Sequence, residues 1–169
     1  MKILVTGPES SGKSTLARSL AWCLDGIYVE EQARPYLHGT QGSYGPADLP
    51  RILRRQLQAE AAAEALQPTL IFCDTGPEVL RVWALVKYGS VPDEVESAFL
   101  RRHYDAVLLC YPDLPWQRDR LREQPDAAER LRLYERYRVM LPNAVVVRGP
   151  ARRQQALAAL AAVQAIRIA

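Results

Sequence analysis

Residues 7–15 read GPESSGKST and follow directly on the apolar-rich run Lys2-Ile3-Leu4-Val5-Thr6. Few folds place Gly7-x-x-x-x-Gly12-Lys13-Ser14 between a strand-like run and a helix-like one. Glycines there let backbone N–H groups converge on phosphate oxygens, and the positive end of the following helix adds to them. Lys13 is placed to reach the β- and γ-phosphates, and the Ser14 hydroxyl to ligate magnesium. A plain glycine turn between strand and helix would not need Lys13 and Ser14 together. The expectation is a phosphate-binding loop made by Gly7, Glu9, Ser10, Ser11, Gly12, Lys13, Ser14 and Thr15, with ATP and Mg²⁺ as cofactors.

The rest of the chain alternates short apolar runs with longer amphipathic ones. Residues 2–6, 26–30, 69–74, 105–110 and 143–148 are rich in β-branched residues and almost continuously apolar, as strands covered on both faces are. Helices are expected over 13–23, 49–66 behind Asp48 as cap, 77–88, 93–102, 126–140 and 151–166. Strand–helix alternation with short connections implies right-handed βαβ units. The predicted fold class is therefore α/β, a P-loop NTPase or nucleoside-kinase-like architecture. It has a five-stranded parallel sheet flanked by helices, in one domain spanning 1–169. Two segments exceed what packing requires. Residues 35–47 hold three glycines and two prolines and read as a mobile surface loop. Residues 111–125 read as a functional lid bearing arginines.

Composition bounds the setting. Apolar residues make up 49% of the chain, enough for a globular core, and no run of 18 apolar residues exists to span a membrane. The N-terminal MKILVTGPES lacks the long apolar stretch and cleavage site of a secretory signal, so a cytoplasmic location is expected. Cys23, Cys73 and Cys110 are far apart and read as reduced, buried core thiols. The net charge of +3 does not point to nucleic acid as a partner. Only three of the 22 basic residues are lysines, which makes Lys13 inside the glycine loop more telling.

Four further segments carry chemistry. Asp74 ends the run TLIFCD, and an acid at the carboxyl end of a buried strand points into the crevice where open α/β sheets bind ligands. It could hold the metal through water, accept a substrate hydroxyl proton, or both; as a structural residue it would cap the next helix. Glu30-Glu31-Gln32-Ala33-Arg34 follows the second strand. Its acids suit ribose hydroxyls and its arginine an acid or a phosphate, against the alternative of an exposed charged turn. In Trp116-Gln117-Arg118-Asp119-Arg120-Leu121-Arg122, Arg118 and Arg122 share a face if the segment is helical. Arginines closing over a transferring phosphoryl group would stabilise its charge, while a solvated arginine face is the plain alternative. Trp116 either stacks on a flat ring or anchors the lid. Gly149-Pro150-Ala151-Arg152 is either a wall of the purine pocket or an ordinary β-to-α turn. Arg51, Arg54 and Arg55 beside Glu60 and Glu64 read as a salted helix surface, and Tyr134 and Tyr137 as packing.

Taken together, GPESSGKSTLARSLA, VEEQARPYL, LIFCDTG and LPWQRDRLRE, in that order over nearly the whole chain, resemble the ribosylnicotinamide kinase domain of the NadR-type proteins. The resemblance implies a P-loop kinase moving the γ-phosphate of ATP to the 5′-hydroxyl of nicotinamide riboside. It matches residues 7–15 to the family's ATP loop. It matches Glu31, Arg34 and Tyr36 to an E-x-x-R-x-Y substrate segment, Asp74 and Thr75 to a D-T pair, and Trp116, Asp119 and Arg122 to a lid. A second acid often follows the D-T pair in the family; this chain has Gly76 there. The family's adenylyltransferase motif H-x-G-H cannot be formed from His38 and His103, the two histidines of the chain.

The sequence thus leads to a phosphotransferase acting on an alcohol group of a small nucleoside. Lys13, Asp74, Arg118 and Arg122 are the catalytic candidates, with Asp74 the first choice for orienting or deprotonating the acceptor hydroxyl and Glu31 the second; Glu31, Arg34, Tyr36 and Trp116 are the substrate-binding candidates, and Ser14 and Asp74 the metal ligands. A kinase for another nucleoside or a polynucleotide 5′-hydroxyl, and an ATP-sensing module without fast chemistry, remain as rivals.

Overall fold

The computed structural model describes residues 1–118 and 124–168. Five strands form one parallel sheet: β1 (Lys2–Thr6), β2 (Ile27–Val29), β3 (Ile71–Asp74), β4 (Ala106–Cys110) and β5 (Val145–Val147), in the order β2-β3-β1-β4-β5. The chain runs outward from β1 to β2, returns through β3, then crosses to the other side of β1 as β4. The carboxyl end of β1 therefore lies where the strand order switches, the place at which such sheets open a crevice.

Seven helices are described: α1 (Lys13–Cys23), α2 (Ala33–Gly39), α3 (Asp48–Ala65), α4 (Pro77–Tyr88), α5 (Asp93–Arg101), α6 (Ala127–Met140) and α7 (Arg152–Ile168). Alternate residues of each strand serve opposite faces. Ile3, Val5, Phe72 and Leu108 pack against Leu16 and Leu20 of α1 and Leu160 of α7. Leu4, Val29, Ile71 and Cys73 face Ala63 of α3, and Leu109 meets Val79 and Val82 of α4 with Tyr134 and Tyr137 of α6. Among the described residues no helix is long and apolar enough to cross a membrane.

Several expectations need correction. The stretch 35–47 is not all loop, because α2 occupies its first part with Pro35 in the first turn, where proline costs no hydrogen bond. Asp48 is the first residue of α3, not its cap. Its carboxylate instead accepts the Gly45 N–H at 2.8 Å and the Tyr36 hydroxyl at 2.5 Å. Cys23 is exposed at the end of α1, unlike Cys73 and Cys110. Glu60 is not on a salted surface: it is 2% exposed beneath Tyr104 and Lys2. The exposed arginines of α3 find other acids, Arg54 pairing with Glu94 of α5 through two hydrogen bonds and Arg51 with Asp48.

Candidate active site

The glycine loop is built by close approach. Gly7 has φ +145°, and a Cβ on it would stand 2.7 Å from the Cys110 carbonyl oxygen of the neighbouring strand. Gly12, at φ +80°, ends the loop and caps α1. Its missing Cβ leaves room for Leu114 and the Arg152 guanidinium, 2.8 and 3.1 Å from where that carbon would be. No acid occupies the first turn of α1, so the positive helix end is left for an anion. Lys13 Nζ leans on the Pro8 carbonyl at 3.4 Å, within the span of the loop.

A cleft of about 480 Å³ opens from this loop. Gly7 to Thr15 form one wall. Glu31 and Arg34 line it too, so the segment behind β2 reaches the same space as Lys13. The far end is apolar and aromatic, with Tyr44, Val79, Val82, Trp83, Leu133 and Tyr137. Tyr44 and Trp83 lie 5.9 Å apart between ring centroids, and the Lys87 ammonium sits 3.9 Å over the Tyr44 ring. The sequence reading missed this compartment. Its residues come from α4, α6 and the loop before α3, and the helical spacing that carries them reads as ordinary core.

Glu31 is where the charges meet. Burial raises its pKa, Lys13 and then Arg34 act against that, and Asp74 and Glu9 reinforce it. Asp74 itself is 1% exposed and stands behind the cleft wall. Its Oδ2 accepts the Tyr28 hydroxyl at 2.9 Å, and its Oδ1 has no hydrogen bond among the described residues. Next to it, Thr75 takes φ +71°, rare for a β-branched residue. Glu78, wholly buried on α4, accepts the Gly76 N–H at 3.0 Å. Burial pushes its pKa up to about 7; the facing Thr6 hydroxyl opposes the rise without reaching hydrogen-bond geometry.

Of the remaining predicted residues, Tyr36, Trp116 and Arg118 are not part of the cleft wall. The Tyr36 ring turns to Asp48 and lies under Arg55. Trp116 is half-buried with its indole N–H unpaired among the described residues, and Arg118 is exposed. Arg122 and Asp119 lie outside the described residues. The loop after β4 nevertheless touches the glycine loop through Gln117 and Gln124. The Gln117 N–H donates to Ser10 Oγ at 3.3 Å, and the Gln124 N–H to Glu9 Oε2 at 3.0 Å. Arg130, buried on α6, donates to the Leu114 carbonyl at 3.1 Å. The Gly149–Arg152 turn is more than a connection, because Arg152 donates to the Ser11 carbonyl at 2.5 Å and pairs with Asp113.

A hard cation needs oxygen ligands. The Ser14 hydroxyl lines the cleft and the orphaned Asp74 Oδ1 stands behind its wall; both are of that kind, so the donor chemistry suits Mg²⁺. Among the described residues no cluster of three or more His, Cys, Asp or Glu forms a protein-only metal cage.

Fold and loop together define a P-loop nucleotide-binding domain. The chain belongs to the family described as AAA domain, which matches residues 2–148. Among solved structures it is similar to NadR protein in complex with NR, at TM-score 0.70 and 21% identity over 94% of this chain and 50% of that one. It is also similar to NadR protein in complex with NAD and AMP-PNP, at 0.65 and 21% over 88% and 44%. Deoxyadenosine kinase from M. mycoides with bound dATP aligns at 0.58 and 15%, over 95% of this chain and 98% of that one. The chain thus spans about half the length of the NadR structures. At these identities the likeness is one of fold. Comparison with curated proteins finds no match.

Proposed function

We propose that residues 1–169 form one kinase domain that moves the γ-phosphate of ATP to the 5′-hydroxyl of a nucleoside, with nicotinamide riboside as the first acceptor to try. The observation that carries this reading is that Glu31 and Lys13 line one cleft of about 480 Å³ whose walls also carry the aromatic side chains Tyr44, Trp83 and Tyr137. The solved NadR complex with NR supports the choice of acceptor.

In this reading the loop N–H groups and Lys13 hold the phosphates and offset charge on the transferring group. Glu31 takes the hydroxyl proton, since its raised pKa brings a carboxylate closer to the strength a base needs near neutrality. Arg34 fixes the acceptor beside it. Asp74 and Ser14 hold Mg²⁺, which when bound neutralises phosphate charge. Arg118 and Arg122 close over the phosphates with Trp116 as their anchor, and Tyr36 steadies α2 through Asp48. The site works in a cytoplasmic setting without a membrane or nucleic acid.

The test is ADP release with Mg²⁺, with and without nicotinamide riboside and a nucleoside panel. Acceptor-dependent release with nicotinamide riboside and a phosphorylated product by mass would establish the reading. Release with another nucleoside alone would keep the mechanism and change the acceptor, an outcome favoured by the full-length fold match to a deoxyadenosine kinase. ATP binding with no acceptor stimulation would point to a sensing module. Asp74→Asn should lower turnover at least about a hundredfold while ATP still binds, because it weakens the metal site; unchanged turnover would remove Asp74 from the mechanism.

A further inference from the structure

Two acids at neighbouring strand ends must keep a fixed separation if one is to hold charge and the other to take a proton. Backbone pairing between β2 and β3 does not supply it, because the last register pair is Val29 with Cys73. Glu31 and Asp74 lie beyond that pair. One buried side chain spans the gap. Gln56 of α3, 3% exposed, accepts the Gln32 N–H at 3.0 Å through Oε1 and donates through Nε2 to the Thr75 carbonyl at 3.3 Å.

An amide supplies both arms of this bridge without titrating. A backbone N–H only donates and a carbonyl only accepts, so the bridge needs an acceptor on one arm and a donor on the other. Glu60, one turn along, fixes the same orientation by offering Oε1 to Nε2 at 3.4 Å. Glu60 is itself held by the Tyr104 hydroxyl at 3.0 Å and Lys2 at 3.3 Å. The turn that Gln56 grips is the strained one. Thr75, at φ +71°, is pinned at its N–H by the Val5 carbonyl at 3.0 Å and at its C=O by Gln56, and the next N–H is pinned by Glu78. Backbone held in a sparse region by several anchors is a mark of a site being kept in place.

We propose that Gln56 is a positioning residue that locks the Glu31-bearing turn to the Asp74-bearing turn and so sets the separation of the two acids. Its effect on turnover rests on the kinase reading above; the bridge itself rests on geometry alone.

Two variants test it. Gln56→Met keeps volume and an unbranched shape and removes both hydrogen bonds. The Gln32 amide should then exchange with solvent at least about tenfold faster while β1 amides do not. Turnover should fall about ten- to a hundredfold with the ATP Kd unchanged, the signature of misplaced reacting groups. Gln56→Glu keeps the acceptor arm and regains the donor only when protonated. Its turnover relative to wild type should therefore rise as pH falls from 8 to 6. Glu60, held by Lys2 and Tyr104, is the acid in contact with this position, so the new carboxyl titrates together with Glu60 and the ratio reports the pair. Unchanged Gln32 exchange or unchanged turnover in Gln56→Met would overturn the proposal. So would turnover, ATP affinity and Tm falling in step, or a ratio that does not vary with pH. Wild-type protein inactive on every acceptor would count against the kinase reading instead, and Gln32 exchange would then decide the bridge.

Discussion

Glu78 shows how a single side chain answers a question raised by its neighbour. The family to which the motifs point often has an acid directly after the D-T pair, where this chain has Gly76. A Cβ at Gly76 would stand 2.5 Å from the Tyr104 hydroxyl and 2.8 Å from Glu78 Oε2, so the space is already filled. The buried acid comes two residues later and reaches back to the Gly76 N–H. Its pKa of about 7 in the fold, against 4.5 ordinarily, has a definite consequence for stability. Below 4.5 the folded and unfolded chains hold the same proton and nothing is lost. Between the two values the folded chain holds more, so stability falls as pH rises, and above 7 the full cost is present. Glu78→Gln keeps the acceptor for Gly76 and removes the titration. It should stabilise the protein at pH 8 by on the order of 1–3 kcal/mol and have little effect at pH 4.5, read by thermal unfolding at both pH values. An equal shift at both would mean that the carboxyl is not protonated by folding.

Among the elements, the loop between β1 and α1 has the least freedom. Its first glycine passes over β4, and its last starts a helix whose positive end is uncompensated. Gly7→Ala must move the Cys110 carbonyl or abandon φ +145°. It should cost about 1–3 kcal/mol of stability and raise the ATP Kd at least about tenfold, by denaturation and calorimetric titration. Helix α6 starts differently. Asp126 at its N-cap accepts the Ala128 N–H at 2.7 Å and the Glu129 N–H at 3.0 Å. Asp126→Ala should lower stability by about 1 kcal/mol. Because α6 brings Leu133 and Tyr137 to the cleft, acceptor affinity should weaken more than ATP affinity, which paired titrations would show.

Across the whole molecule, distant chain segments meet behind the nucleotide loop. Asp113 after β4 accepts the Gly149 N–H at 2.6 Å and pairs with Arg152 at the start of α7, while Arg152 holds the Ser11 carbonyl. Residues separated by more than a hundred positions thus set the closing end of the loop. Asp113→Ala and Arg152→Ala should each raise the ATP Kd, and the double variant should be less impaired than the sum, with a coupling of about 1–3 kcal/mol. Strict additivity in that cycle would show the pair to be incidental.

Local pattern determined much of this protein. Continuous apolar runs marked five strands to within two residues at each end, because strands covered on both faces have no polar alternation to blur them. The glycine loop was legible since its backbone and charge requirements lie within nine consecutive residues. Glu31 and Arg34 could be placed in the site because a strand end fixes where its next residues go. Tertiary structure decided the rest. Whether Asp74 faces the cleft or stands behind its wall depends on Tyr28 and on the turn at Thr75, which no local pattern announces. The aromatic compartment, the Gln56 bridge and the Asp113–Arg152 pair join segments whose separation along the chain carries no periodic signal. Glu60 looked solvated because charge on a helix usually is, and only the packing of Tyr104 and Lys2 over it shows that this one is buried.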